Sequence, residues 1–113
     1  MKIDIEKVKI FVMIPEEKIS ELRDAVCNAG AGILGNYTYC SSYSKVNGTF
    51  IPNDKANPYT GTNNTLQFVE EIKFEILCDV KLVKKVLKII REIHPYEEPE
   101  IDIVPLLSEK SFN

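Results

Sequence analysis

Two helical patterns, each directly after an apolar strand pattern, constrain the fold of this 113-residue chain more than any other feature. The first strand pattern covers residues 7–14 and the second covers residues 66–78, with apolar side chains at alternate positions. Residues 19–29 and residues 80–93 then carry apolar side chains at helical spacing, on one face only. A last strand pattern lies at residues 101–104. Few architectures accommodate this order of strand and helix patterns along the chain.

The order of these patterns predicts the architecture. It runs strand, helix, two or three strands, helix, strand. Because each helix is apolar on one face only, both helices pack on the same side of a mostly antiparallel sheet. We therefore predict an α+β fold of the ferredoxin-like βαββαβ type. It forms one domain over residues 1–113, with a core over about 8–106 and a tail over 107–113.

The middle of the chain gives three further expectations. Residues 37–50 are rich in strand-forming side chains, and Asn47-Gly48 within them predicts a tight turn. Residues 51–65 are polar and rich in turn formers, which predicts a long loop of a kind that is usually functional or mobile. The period of two places three tyrosines on one side of the pleat: Tyr37, Tyr39 and Tyr43.

The strands also carry apolar side chains on the sheet face that the helices leave uncovered. An exposed apolar face is typical of an association surface, so we expect a closed homo-oligomer. The side chains assigned to this face are Phe11, Met13, Tyr37, Tyr39, Tyr43, Val69 and Leu77.

Composition excludes several classes of partner. The net charge is −3, so the average field of the molecule does not attract phosphate backbones, and we expect no nucleic-acid partner. No segment has the apolar length of a membrane span, and the charged N-terminal residues do not resemble a secretory signal. The three cysteines are odd in number and widely spaced, which favours reduced thiols in a cytoplasmic protein.

A stiff corner of sequence His-Pro-Tyr-Glu-Glu-Pro, at residues 94–99, joins the second helix to the last strand. Its side chains fit either a structural joint or one wall of a ligand or metal site. His94, Glu97 and Glu98 are candidate ligands for a divalent metal, although a structural histidine at a helix C-terminus is the favoured interpretation. No motif marks a nucleophile paired with a general base, so we expect no catalytic residue in this chain.

Four motifs in one order resemble a known family. They are Gly-Ala-Gly-x-x-Gly-Asn-Tyr at residues 30–37, Gly-Thr-Phe-x-Pro at 48–52, Asn-Pro-x-x-Gly at 57–61 and the corner at 94–99. Over about residues 8–106 the chain resembles the domain inserted into YqfO-type members of the Nif-three-like (NGG-interacting factor three) family. The corner is also similar to the equivalent corner of CutA, the trimeric divalent-ion-tolerance protein, which shares its fold with the PII signalling proteins.

The resemblance implies a stand-alone version of that domain, with a CutA-like/PII-like fold that forms a homotrimer through its sheets. It does not imply an enzyme, because the two-metal centre of the full-length relatives belongs to their surrounding domain, whose His, Asp and Glu ligands have no counterpart here. The motif residues expected to line a shared ligand-binding cleft are Gly35, Asn36, Tyr37, Gly48, Thr49, Phe50, Asn57, Pro58, Gly61 and Tyr96.

Three hypotheses of function follow. The leading one is a non-catalytic oligomeric binding or regulatory module without a cofactor, which senses a small molecule or a protein partner through residues 47–64 and the corner. The second is a protein that binds copper or zinc in the CutA manner, through His94 and the nearby carboxylates. The third and least favoured is a hydrolase that acts with a separately encoded, metal-bearing partner.

Overall fold

The computed structural model describes residues 3–112 and contains four strands and two α-helices. In chain order these are β1 (Lys7–Ile14), α1 (Ile19–Asn28), β2 (Ser41–Phe50), β3 (Gln67–Asp79), α2 (Val83–Ile93) and β4 (Ile101–Leu106). Short 3-10 turns lead into both helices, at Glu16–Lys18 and Val80–Leu82, and another covers Glu109–Phe112. The predicted order βαββαβ is confirmed. No helix among residues 3–112 has the length and apolarity needed to cross a membrane.

The four strands form one antiparallel sheet in the order β2-β3-β1-β4. β1 is therefore central, and its Ile10 lies between Ile76 of β3 and Ile103 of β4. The two helices contact each other and cover one face of the sheet, called here the helix-side face. The opposite face is called the open face.

The core lies between the helices and the helix-side face. The helices contribute side chains at helical spacing, whereas β1 and β3 contribute every second residue, as the sequence predicts. Burial of each large apolar side chain stabilises the fold by about 1.5–3 kcal/mol. The largest of the fully buried side chains are Phe74, Ile10, Ile14, Leu22, Ile72, Ile76 and Ile90.

β2 passes through the Asn47-Gly48 pair without turning, so the predicted tight turn is wrong. Asn47 pairs with Glu70 and Gly48 pairs with Val69, in an unbroken antiparallel register. Neither residue has the positive φ that a type I′ turn requires. A turn at Asn47 would leave the first four residues of β3 without a β2 partner, because their pairing needs the whole of β2. The chain reverses instead through residues 51–66, called here the long loop.

The placement of the tyrosines is also corrected. β2 begins only at residue 41, so Tyr37 and Tyr39 lie before it, in the connection from α1. Tyr39 has a left-handed φ of 59°, which interrupts the alternation on which the prediction rested. Tyr43 lies in β2 but pairs with Phe74, and therefore belongs to the helix-side face. Four of the assigned side chains do lie on the open face, where they are partly buried: Phe11, Met13, Val69 and Leu77.

The β2–β3 hairpin extends beyond the helices. On its helix-side face Phe68 is 79% exposed, and Leu66, just before β3, is 50% exposed. Leu66 and Phe68 continue the alternation that places Ile72 and the other buried β3 residues on the helix-side face, but the helices do not extend far enough to cover them. The extended hairpin contributes to an elongated molecule of 52 × 30 × 23 Å.

Gly32 is required where the connection from α1 to β2 meets the sheet. Its φ of +77° is left-handed, and a Cβ there would lie 3.1 Å from both the Cys40 carbonyl oxygen and Ile76 Cδ1. We expect Gly32→Ala to lower the free energy of unfolding by about 3 kcal/mol, as measured by urea denaturation.

Gly35→Ala is the matched control for this prediction. Gly35 also has a positive φ, +57°, but among residues 3–112 no atom outside Gly35 and its two chain neighbours lies within 4 Å of its Cβ position. Only the backbone strain remains, so we expect a loss of about 1 kcal/mol. Equal losses in the two variants would contradict the close packing assigned to Gly32.

Candidate functional site

A pocket of about 360 Å³ lies at one end of the open face. Its walls come from neighbouring parts of β1, β2 and β3, from the long loop and from the corner. The strands contribute Met13, Gly48, Thr49, Phe50, Val69 and Glu71. The long loop contributes Pro52, Ala56, Pro58, Tyr59 and Thr60, and the corner with the residue after it contributes Tyr96, Glu97, Glu98 and Glu100.

The missing side chain of Gly48 leaves part of this space open. Gly48 lies on the open face of β2 and pairs with Val69 of β3. A Cβ at Gly48 would lie 3.6 Å from Val69 Cγ1 and 3.9 Å from Glu71 Oε1, which are ordinary van der Waals distances. A larger side chain at this position would therefore fill the pocket while the backbone of the strands stays in place.

Glu71 places a carboxylate in the wall of the pocket. The residue lies on the open face of β3 and is only 8% exposed. The Tyr96 hydroxyl donates to Glu71 Oε2 at 3.0 Å. Burial, followed by the charge of Glu71, raises the pKa of Tyr96 well above its ordinary value, so the phenol stays protonated as a donor. Among residues 3–112 no cationic side chain forms an ion pair with Glu71.

His94 fixes the corner onto β1. Its Nε2 atom lies 2.5 Å from the Met13 carbonyl oxygen, which can only accept, so Nε2 carries the proton. Nδ1 accepts from the Tyr96 backbone N–H at 3.2 Å. The residue is 7% exposed, and this burial lowers the pKa of His94 below its ordinary value of 6.5; the bond to Met13 opposes the shift and the Arg91 charge adds to it. His94 is thus a neutral joint between α2, β1 and the corner.

The long loop and the corner meet at the pocket although they are distant in the sequence. The Asn57 backbone N–H donates to Glu97 Oε1 at 3.2 Å, across 40 residues of chain. The Tyr59 ring packs against Tyr96, with the two ring centroids 5.9 Å apart. These contacts join the loop to a corner that His94 already holds against the sheet.

The structure brings half of the predicted ligand-binding residues together. Five of the ten line the pocket: Gly48, Thr49, Phe50, Pro58 and Tyr96. Asn57 lies beside it, through its hydrogen bond to the corner. Gly61 has a different role, because its φ of +102° forms a turn that packs against the Gln67 side chain.

The other three predicted residues, Gly35, Asn36 and Tyr37, lie towards the far end of the sheet. Their segment follows Gly32, whose N–H donates to the Leu77 carbonyl of β3 at 2.7 Å. Leu77 is six residues from Glu71, which corresponds to about 20 Å along a strand. A single chain therefore does not place these three residues in the pocket.

The candidate metal ligands do not form a coordination set by themselves. Both ring nitrogens of His94 are engaged in hydrogen bonds, and Glu97 accepts one from the long loop. Glu97 and Glu98 both line the pocket. Within the described part of the chain, no group of three or more His, Cys, Asp or Glu side chains is placed to hold a metal ion. Metal binding stays a prediction.

Glu71 and Tyr59 are among the pocket residues that the predicted site does not include. The alternation of β3 assigns Glu71 correctly to the open face, but it cannot show that the long loop and the corner cover that part of the face. The only signal is Val69, an apolar residue that interrupts the polar side chains there. Tyr59 occupies a variable position inside the Asn-Pro-x-x-Gly motif, so the motif itself does not mark it.

Comparisons with known proteins place the chain among larger relatives. No family model matches it. It is 42% identical over 101 residues to a Halalkalibacterium halodurans protein named GTP cyclohydrolase 1 type 2 homolog, covering 89% of this chain and 27% of that protein. The Bacillus subtilis protein of the same name is 37% identical over 98 residues, covering 87% and 26%. The chain therefore spans about a quarter of the length of these relatives.

Solved structures agree with this relationship. A Bacillus cereus protein related to NIF3 superposes with a TM-score of 0.79 at 35% identity, over 94% of this chain and 27% of that chain. CutA1 from a psychrotrophic Shewanella gives 0.71 at 18% identity, over 93% and 85%. The GlnK–ATP complex of Bacillus subtilis gives 0.63 at 13% identity, over 89% and 82%. The last two show the fold, which is CutA-like and PII-like.

The neutral state of His94 makes stability depend on pH. The pKa of the ring is near 6.5 in the unfolded chain and lower in the fold, so the unfolded state takes up the proton first as the pH falls. The contribution of His94 to stability is complete above about pH 6.5 and is lost below it, until the folded pKa is reached, by at most about 1.4 kcal/mol for each pH unit. We expect this loss in denaturation curves as the pH falls below about 6.5.

His94→Gln provides the control. The chain has one histidine, and a glutamine amide can donate a hydrogen bond to a carbonyl such as that of Met13 without titrating in this range. The carboxylates titrate alike in both proteins, so the free energy of unfolding of the variant should change less with pH than that of the wild type. Parallel curves would show that the fold does not disfavour the charged ring.

Proposed function

The chain is a relative of one segment of the NIF3-family proteins, and on this basis we propose that it is a non-catalytic binding or regulatory module whose small-molecule site is the pocket beneath the long loop. One observation carries the proposal: the long loop and the corner, both rich in motif residues, are joined by the Asn57–Glu97 hydrogen bond beside one pocket. The pocket volume of about 360 Å³ lies within the range of small-molecule sites.

The chemistry of the pocket supports binding over catalysis. The name GTP cyclohydrolase 1 type 2 homolog belongs to proteins of which this chain covers about a quarter, so an activity of the whole protein is not transferred. The one histidine of the chain has both ring nitrogens engaged by backbone groups, which leaves no imidazole free as a general base. A hydrolase that requires a separate metal-bearing partner remains the least favoured alternative.

A divalent metal is the alternative ligand. CutA from Archaeoglobus fulgidus is described as a divalent cation tolerance protein, and its likeness to this chain, at 13% identity, shows the fold alone. Copper or zinc binding through His94 would have to break the ring's bond to Met13 or its bond to Tyr96. The carboxylates of Glu97 and Glu98 would then supply the remaining protein ligands.

Self-association through the open face is the second part of the proposal. Side chains such as Val104, 43% exposed, add apolar surface to an uncovered sheet face. The resemblance to trimeric CutA favours a homotrimer. We also propose a cytoplasmic location, which is supported by the three free cysteines, Cys27, Cys40 and Cys78.

Filling the pocket tests the binding site. We expect at least one compound from a library of nucleotides, metabolites, copper and zinc to stabilise the wild type in thermal-shift experiments. At one hundred times its Kd such a ligand adds about 2.7 kcal/mol. Gly48→Val should abolish this stabilisation, because the new side chain occupies the pocket beside Val69.

Ser44→Val is the matched control, since Ser44 lies on the same face of β2 but outside the pocket lining. It should respond to the ligand like the wild type. The proposal fails if no compound stabilises the wild type, or if Gly48→Val is stabilised to the same extent.

The oligomer is tested by light scattering. We expect three times the chain mass of 12.9 kDa for the wild type and a smaller mass for Val104→Lys, which places a charge on the open face. Ile103→Lys is the control, because Ile103 has almost the same exposure, 42%, and lies on the helix-side face. A monomeric wild type, or equal effects of the two substitutions, would contradict assembly through the open face.

A further inference from the structure

Four glutamates are among the residues that line the pocket: Glu71, Glu97, Glu98 and Glu100. No lysine, arginine or histidine is found among its lining residues within the described chain. None of the five ion pairs formed by residues 3–112 includes any of the four carboxylates. The pocket therefore concentrates negative charge that these residues leave uncompensated.

Glu71 sets this pocket apart from an ordinary acidic surface. The residue is only 8% exposed, and its Oε2 atom accepts a hydrogen bond from the Tyr96 hydroxyl. That bond is the only one to the carboxylate among the described residues. Its Oε1 atom lies 3.9 Å from the Cβ position of Gly48, beside the open space of the pocket. Among the described residues Oε1 has no hydrogen-bond partner, and it is not fully buried, so it is open to the pocket. A cation placed there would offset part of the hydration that Glu71 loses on burial.

The remaining lining gives the ligand an apolar and aromatic environment. Tyr59 and Tyr96 lie with their rings 5.9 Å apart, and Phe50 adds a third ring. Aromatic faces attract cations through their quadrupole and also cover apolar groups. Met13 and Val69 form an apolar floor on the sheet. Such a lining favours a cation attached to an apolar body over a bare metal ion.

We propose that the pocket binds a small organic cation, an ammonium or guanidinium group on an apolar body, with the charged group at Glu71 Oε1 and the body against Tyr59 and Tyr96. This inference rests on the proposed function and names the class of its ligand. Phosphate-bearing compounds are disfavoured in this pocket, because four glutamates and no cationic residue of the described chain line it.

Three probes of similar size and different charge test the inference: phenethylamine, phenethyl alcohol and phenylacetate. Each is titrated into uniformly 15N-labelled full chain, and amide shifts are followed by NMR. Phenethylamine should shift the resonances of Gly48, Glu71 and Tyr96 and bind at least tenfold more tightly than the neutral alcohol. Phenylacetate should leave these resonances unchanged.

Glu71→Gln removes the charge and keeps an acceptor for the Tyr96 hydroxyl. It should weaken phenethylamine at least tenfold and leave the alcohol unaffected. Glu75→Gln is the matched control on the same face of β3, outside the pocket, and should bind phenethylamine like the wild type. The spectra themselves show whether each variant is folded.

The outcomes separate the two proposals. If the alcohol or phenylacetate shifts the pocket resonances as strongly as phenethylamine, the inference of a cationic ligand is wrong, whereas the proposal of a small-molecule site in the pocket is supported. If no probe shifts them, the inference is overturned, and the pocket-filling experiment decides the proposed function by itself. A different result is that phenethylamine does not bind and that Glu71→Gln lowers the oligomer mass in light scattering. Glu71 would then face a basic side chain of a second copy, and the inference of an organic cation would also be overturned.

Discussion

The pocket depends on the two hydrogen bonds of one imidazole. α2 ends at Ile93, and His94 then leaves the helix in an extended conformation while its ring stays buried. A buried ring needs a partner for each nitrogen, and β1 and the backbone of the corner supply them. This fixes the start of the corner, so that the Tyr96 hydroxyl reaches Glu71 and its ring meets Tyr59. His94 thus sets the position of a pocket wall that it does not itself line.

The same arrangement keeps a carboxylate where an apolar residue would be more stable. Burying Glu71 removes a charge from water, and one hydrogen bond from a phenol compensates only part of that loss. Met13 and Val69, which lie near it on the open face, are apolar and would pack well against another apolar side chain. A position that departs from the most stable choice in this way is typical of a binding site.

The sequence predicts the layers of this fold well, since the periods of β1, α1 and α2 are set by burial against one core. It fails at Asn47-Gly48, where the local turn signal is weaker than the pairing of a long β3 with β2. Motif residues locate half of the pocket, including Gly48 and Tyr96. Glu71 could not be predicted, because the loop and the corner that bury it are distant in sequence and no local pattern records where they pack.

The extension of the β2–β3 hairpin past the helices has a mechanical consequence. One wall of the pocket, with Gly48 and Val69, belongs to the part of the sheet that extends beyond the helices. Tyr96, by contrast, lies in the corner after α2, which His94 holds in place. A bend of the hairpin relative to the helical layer would therefore move the wall with Gly48 and Val69 relative to Tyr96, and so change the width of the pocket. A partner that binds the exposed Phe68 near the end of the hairpin would therefore affect ligand binding in the pocket, and a bound ligand would affect the position of the hairpin.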